Sequence, residues 1–321
     1  MEKSNISNSV LIRMYFGNLV SANDPYRTLS IPGDVLLFHK LGELGFGPKL
    51  LGVFDGGRLE EYIPSHTVTD AELLDPTIQE HIARKLARYH SLKLPLGIDA
   101  VDQVGVIDLK TKKIANFEEE YLNHPNILKS TANPMVVVSF DFASEVEWLR
   151  KVRSKLNAPL VFSLNDLNRM NVLVRDQPDL SGHRVTLIDY EFSATNYRGN
   201  DLGCHLSFGW ACSLSPDVPN FATSIGVPPE EVRRNYIEHY LNETSKFKVL
   251  DPELDNVEQL LFEVDFAIIA NLMLFLVWFI APDTKCYEHS TLHEHFLVSC
   301  SCCFNYNLCL FVYYRAVAHG C

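Results

Sequence analysis

Basic residues are in short supply in this chain. Against 40 Asp and Glu stand only 28 Lys and Arg, a formal net charge of -12 over 321 residues. That balance argues against a nucleic acid or an anionic membrane surface as the main partner and suits a small cationic ligand better. Long apolar runs are missing too. Phe266 to Ala281 is apolar apart from Asn271, but it is bracketed by Asp265 and Pro282 and falls short of the roughly 20 residues that span a bilayer, so it reads as a buried core helix. No secretory leader pattern opens the chain, because Met1 to Ser9 is polar and Arg13 interrupts the apolar stretch that follows; the expected location is cytoplasmic. Internal repeats and low-complexity linkers are absent. Cysteine does not occur before Cys204, and five of the eight, Cys300, Cys302, Cys303, Cys309 and Cys321, crowd the C-terminus. Nothing indicates an oxidising compartment, and Cys300-Ser301-Cys302-Cys303 does not match common zinc ligand pairs, so these read as reduced thiols.

With 47% hydrophobic residues, the chain has enough to bury a large core, either as one large domain or as two lobes. Val10 to Tyr15 reads as a strand and Asp34 to Leu44 as a helix with Val35, Leu37, Phe38 and Leu41 on its apolar face. Gly45-Phe46-Gly47-Pro48 ends that helix. Leu50 to Phe54, the turn Asp55-Gly56-Gly57 and Arg58 to Ile63 make a hairpin, stopped by Pro64. Helices dominate afterwards. Asp75-Pro76 caps a helix running to His90, Ser144 and Glu147 suggest a capping box, Glu230 to Glu243 is helical, and Asp251-Pro252 caps a helix from Glu253 to Ala281. The expected fold is α+β and bilobal, protein-kinase-like: a small strand-rich lobe over residues 1–64, a larger mainly helical lobe over 65–295 and an atypical Cys-rich tail over 296–321.

Ser163 to Asp189 carries the chemistry. Asp166 and Asn171 lie five residues apart between the apolar strands Leu160 to Phe162 and Val172 to Val174, and Asp189 closes the strand Val185 to Ile188. A phosphotransferase of the protein-kinase type needs one aspartate to orient the acceptor hydroxyl and take its proton, and an asparagine and a second aspartate to hold magnesium on the nucleotide phosphates. Glu191 lies two residues beyond Asp189, which on extended backbone puts both carboxylates on one face. Asp-x4-Asn alone is a weak signal, since a capping aspartate and a turn asparagine give the same letters. Leu-Ile-Asp at the right distance strengthens it.

The continuation, Asp189-Tyr190-Glu191-Phe192-Ser193 and then Asn196-Tyr197-Arg198-Gly199-Asn200-Asp201-Leu202-Gly203, closely resembles the choline/ethanolamine kinase family. Val10 to Gly17, Gly47-Pro48-Lys49-Leu50 and Gly57 to Ser65 resemble that family's first strand, turn and hinge, so the similarity runs from about Val10 to Ala281. The resemblance implies ATP and Mg2+ as cofactors, an amino-alcohol substrate and a homodimer. It makes Asp166 the base, Asn171 and Asp189 magnesium ligands and Glu191 a supporting carboxylate. It sets Arg13 against the nucleotide phosphates with Asp34 as its acidic partner, and Glu61 and Ile63 against adenine. Read on their own, Arg13 is a solvated strand arginine and Asp34 the N-cap of the first helix.

Four departures from the family pattern stand out. The glycine-containing hairpin expected before the Arg13 strand does not precede it, and Leu164 replaces a histidine that supports the loop, which is expected to weaken its organisation. Phe208 replaces a pocket acid, leaving Phe192, Phe208, Trp210 and Trp278 as candidate walls for a quaternary ammonium, although aromatic residues at such positions also serve as core. The Cys-rich tail has no counterpart. Two further readings therefore stand beside phosphorylation of choline or ethanolamine: a catalytically weak relative that binds active homologues, and a kinase of another small hydroxylated amine.

Overall fold

The computed structural model describes residues 9–15, 30–94, 100–112, 141–179, 181–209 and 228–280. The Cys-rich tail lies outside the described residues.

The chain enters with strand β1 (Val10–Met14), helix α1 (Ile31–Glu43) and the hairpin β2 (Leu50–Phe54) and β3 (Gly57–Glu61). These strands form an antiparallel sheet in the order β1-β3-β2. Its hairpin turns at Asp55-Gly56, where Gly56 has φ +85°, a conformation that favours glycine. Helix α1 starts earlier than the periodicity predicts. Ser30, not Asp34, is its N-cap: Ser30 Oγ accepts the Gly33 N–H at 3.3 Å, and Pro32 sits in the first turn. The return strand also stops at Glu61, short of Ile63, because the chain leaves for a second sheet.

That sheet runs β4-β6-β7, antiparallel, from β4 (Ser65–Thr67), β6 (Val172–Arg175) and β7 (Val185–Leu187). Between β4 and β6 come a short turn α2 (Asp70–Leu73), α3 (Pro76–His90), α4 over residues 103–112, α5 (Phe142–Arg153) and β5 (Leu160–Ser163). Helix α3 follows its sequence signals at both ends, with Asp75 Oδ1 accepting the Thr77 N–H. Helix α5 does not. Its cap is Asp141, whose carboxylate accepts the Ser144 N–H and Oγ–H, while Glu147 turns to Arg150 instead of closing a capping box.

Beyond β7 the chain makes β8 (Ala194–Tyr197), paired with β5, then α6 (Arg198–Cys204), a π-helical turn His205–Gly209, α7 (Glu230–Thr244) and α8 (Val257–Ile280). Helix α8 begins after Asn256, whose Oδ1 accepts the Gln259 N–H; Asp251 instead accepts the Glu253 N–H in a preceding turn. The apolar stretch is the core helix its length suggests, with residues 266–274 all buried. Its polar interruption, Asn271, accepts from Gln103 Nε2 at 2.7 Å and donates to the Asn200 carbonyl at 3.3 Å, so no polar group there is buried without a partner. No helix among the described residues is long and apolar enough to cross a membrane.

Helices α6 and α8 pack closely because of two glycines four residues apart on one face of α6. A Cβ on Gly199 would lie 2.9 Å from the Glu263 carbonyl oxygen, and one on Gly203 would lie 2.6 Å from Ala267 Cβ. Arg198, buried between them, donates to Glu263 at 2.7 and 2.8 Å, to the Leu254 carbonyl and to Asp255.

Candidate active site

Strand β5 delivers the chain into a loop that ends in a 3-10 turn, Arg169–Asn171, before β6. Asp166 lies at its centre. Asn171 Nδ2 donates to Asp166 Oδ2 and to the Asp166 carbonyl, both at 2.9 Å, and Asn168 Nδ2 donates to Asp166 Oδ1 at 2.9 Å. The five-residue spacing therefore brings both side chains together by closing one turn.

Asp189 is brought to the same place by strand pairing. Val172 faces Leu187 across β6 and β7, and the Ile188 N–H donates to the Asn171 carbonyl at 3.0 Å, so Asp189 begins where the asparagine ends. Its backbone is not extended: φ is +65°, in the left-handed region that few non-glycine residues occupy. The expectation that Asp189 and Glu191 share a face of one strand is therefore corrected. A turn joins them, and both carboxylates still act on Asp166 electrostatically. Burial pushes the Asp166 carboxyl up to about 7; hydrogen bonds from Asn168 and Asn171 oppose the shift, while the charges of Asp189 and Glu191 add to it.

Arg13 reaches across from the small lobe and donates from Nη2 to Asp189 Oδ1 at 2.6 Å. Burial lowers its pKa, and the charge and hydrogen bond of Asp189 more than reverse that. Its expected partner, Asp34, belongs to another cation. Arg58, 1% exposed, donates to Asp34 at 2.5 Å and to Glu60 at 2.7 Å while lying over the Phe38 ring. Arg13 and Arg58 are paired across β1 and β3, so register puts both side chains on one face; Arg58 turns toward Asp34 on α1, and Arg13 toward Asp189.

At the hinge, Glu61 Oε2 accepts the Lys49 N–H at 3.1 Å, and the carbonyl of the buried Ile63 accepts from Ser65 Oγ at 2.8 Å. Phe192 is buried in the core cluster. Trp210 lies outside the described residues, as do the side chains of Phe208 and Trp278.

Leu164 is also core, and its loop is held from the backbone. Asp201 accepts the N–H groups of Leu164 and Asn165 on its two oxygens, both at 2.7 Å, and lies 3.0 Å from His90 Nε2. Asn165 is the residue that sequence reasoning missed. Buried at φ +63°, it donates from Nδ2 to the Phe192 carbonyl at 2.9 Å, and its Oδ1 accepts from Asn196 at 2.8 Å and Asn200 at 3.0 Å. One amide thereby ties the Asp166 loop to the segment after Asp189, to β8 and to α6. Two signals were present: an asparagine preceding the key aspartate, and asparagine's tolerance of the left-handed region.

The donor set suits magnesium. Asn171 uses its amide N–H groups on Asp166, leaving its carbonyl oxygen, and Asp189 has a second oxygen beyond the one facing Arg13. Both are hard oxygen donors. Among the described residues no group of three His, Cys, Asp or Glu forms a metal cage.

A family model described as choline/ethanolamine kinase matches residues 1–304. A choline/ethanolamine kinase of Rattus norvegicus is 32% identical over 275 residues, covering 84% of this chain and 65% of that relative. The chain thus spans about 65% of the length of the first curated relatives it matches. In fold it is similar to a choline kinase from Cryptosporidium parvum, with TM-score 0.67, 18% identity and coverage of 97% of this chain and 83% of that one. It is also similar to an ADP-bound aminoglycoside phosphotransferase, with TM-score 0.52, 14% identity and coverage of 85% and 82%.

Proposed function

The chain belongs to the choline/ethanolamine kinase family, and from that premise we propose that it phosphorylates choline or ethanolamine with ATP, making the phosphorylated head group for phospholipid synthesis. The observation that carries the proposal is the Asp166 carboxylate, oriented by Asn168 and Asn171, with its pKa raised to about 7. A base with that pKa is suited to taking a hydroxyl proton at neutral pH. In the reaction the acceptor oxygen forms a bond to the γ-phosphorus, the bond from that phosphorus to the bridging oxygen of ADP breaks, and the hydroxyl proton passes to Asp166. Magnesium, held by Asn171 and Asp189 with Glu191 in support, supplies charge neutralisation on the phosphates when bound. Arg13 exchanges Asp189 for the nucleotide phosphates. Asp34 serves indirectly, fixing α1 against β3 through Arg58, and Glu61 and Ile63 border adenine. Phe192, Phe208, Trp210 and Trp278 remain the proposed walls of the acceptor pocket, with Phe192 as a core-side wall. A homodimer and a cytoplasmic site of action belong to the same reading.

The loop's double anchorage on Asp201 favours catalysis over a purely binding role, since it organises the loop without a histidine at position 164. The test is 31P NMR of full-length protein with ATP, Mg2+ and a panel of choline, ethanolamine and a larger hydroxylated amine. Phosphocholine or phosphoethanolamine is expected, and Asp166→Ala should cut turnover by about 10^2 to 10^4-fold. No product from either head group, or turnover unchanged in the variant, overturns the reading; product from the larger amine alone moves it to another acceptor.

A further inference from the structure

A cavity of about 640 Å3 lies between the C-terminal ends of α3 and α7 and the start of β5. That volume is in the range of pockets that enclose small organic ligands. Its wall mixes polar and apolar groups; Phe162 lines it, and Leu160 and Phe247 are half-exposed there. Among the described lining residues the cationic side chains are Lys93, Arg198 and Lys248, with His90 beside them, and no acidic side chain is among them, in a chain whose net charge is -12.

These basic groups are not equivalent. Arg198 and Lys248 are neutralised from behind by Asp255 and Glu263. Lys93, exposed at the mouth, has no ion pair among the described residues. Nor is it drawn there by bare helix ends. The Ala87, Arg88 and Tyr89 carbonyls at the end of α3 are taken by the N–H groups of Ser91 and Leu92, and the Leu241, Glu243 and Thr244 carbonyls at the end of α7 by those of Ser245, Lys246, Phe247 and Lys248. A lysine with no ion pair among the described residues, beside a partly apolar chamber whose described lining has no acidic group, attracts an anion that carries an apolar body.

The floor of the chamber is connected to the Asp166 loop. His90 bonds Tyr240 through Nδ1 at 2.9 Å and Asp201 through Nε2 at 3.0 Å, and Asp201 holds the Leu164 and Asn165 N–H groups. We propose that this cavity is a binding site for a small organic anion with a flat apolar body, its charged head at Lys93, and that occupancy tightens the Asp166 loop through His90 and Asp201. The site is separate from Asp166, Asn171 and Asp189, and its test does not depend on turnover.

The probe is 1-naphthyl phosphate, with 1-naphthoate and 1-naphthylmethanol carrying the same body on a different anionic head and on a neutral one. Calorimetric titration of the full chain, with and without saturating Mg-ATP, measures binding. Hydrogen exchange at the amides of Leu164 and Asn165 measures coupling. Saturable binding of the phosphate that persists with Mg-ATP is expected, weakened about tenfold by Lys93→Glu and about tenfold for the neutral alcohol. Naphthoate binding as well as naphthyl phosphate supports recognition of charge in general, and preference for the phosphate supports a phosphomonoester. Phe247→Ala, at a half-exposed position where misfolding is not at issue, should weaken all three probes. Exchange at Leu164 and Asn165 should slow several-fold on binding. Loss of binding in Mg-ATP, equal affinity in Lys93→Glu, or equal affinity for the neutral probe overturns the site; unchanged exchange in the bound protein overturns the coupling.

Discussion

Replacing Asn165 tests how the Asp166 loop is held, and the expected loss can be worked from its bonds. Its side chain donates once, to the Phe192 carbonyl, and accepts twice, from Asn196 and Asn200. Truncation leaves three buried partners to find new ones, at about 1 kcal/mol each, so about 3 kcal/mol is lost from hydrogen bonding. The backbone adds a second term, because φ is +63° and a Cβ there costs about 1 kcal/mol unless a local polar side chain offsets it. Asn165→Ala should therefore destabilise by about 4 kcal/mol and Asn165→Gly by about 3, the reverse of the order alanine and glycine show in ordinary backbone. Urea unfolding with a common slope for all three proteins measures this from the midpoints. Alanine more stable than glycine would refute the strain argument, and losses below about 1 kcal/mol in both would refute the bracing role.

Two other perturbations probe separate parts of the site. Arg58→Leu leaves Asp34 and Glu60 buried without their cation and should cost about 3–5 kcal/mol, partly recovered by adding Asp34→Asn; a loss under about 1 kcal/mol in the same unfolding assay would contradict the burial of the triad. For Asp166 the folded-state pKa of about 7 lies above the unfolded value near 3.9, so the folded protein binds this proton more tightly. Its contribution to stability is complete below pH 4 and is lost as pH rises toward 7. Metal-free protein should lose more stability than Asp166→Asn across that window, and parallel curves for the two would show that the carboxyl titrates normally.

Much of this was legible in the sequence, for reasons that differ by residue. Helix α3 could be bounded because both its ends are written locally, Asp75-Pro76 at one and the end of the apolar stripe at the other. Asp166, Asn171 and Asp189 could be grouped because a tight turn and one strand pair suffice to join them. The caps at Ser30, Asp141 and Asn256 were misread where two polar residues competed a few positions apart and tertiary packing chose between them. The partner of Asp34 was out of reach, since Arg58 and Arg13 sit opposite each other and nothing local says which turns to the helix. The same holds for the roles of Asn196, Asn200 and Asp201. Their letters suggested a family, but their partners lie more than 30 residues upstream.

Asp201 has a consequence for how the protein is made. The two amides of the Asp166 loop find their acceptor 36 and 37 residues later in the chain. That acceptor sits on α6, and α6 is seated by Gly199 and Gly203 against α8, which ends at Ile280. During synthesis the loop therefore emerges long before the helix that shapes it, and a nascent chain released before α8 is complete carries the reactive residues without their geometry. The chemical centre is early in the order of synthesis and late in the order of assembly.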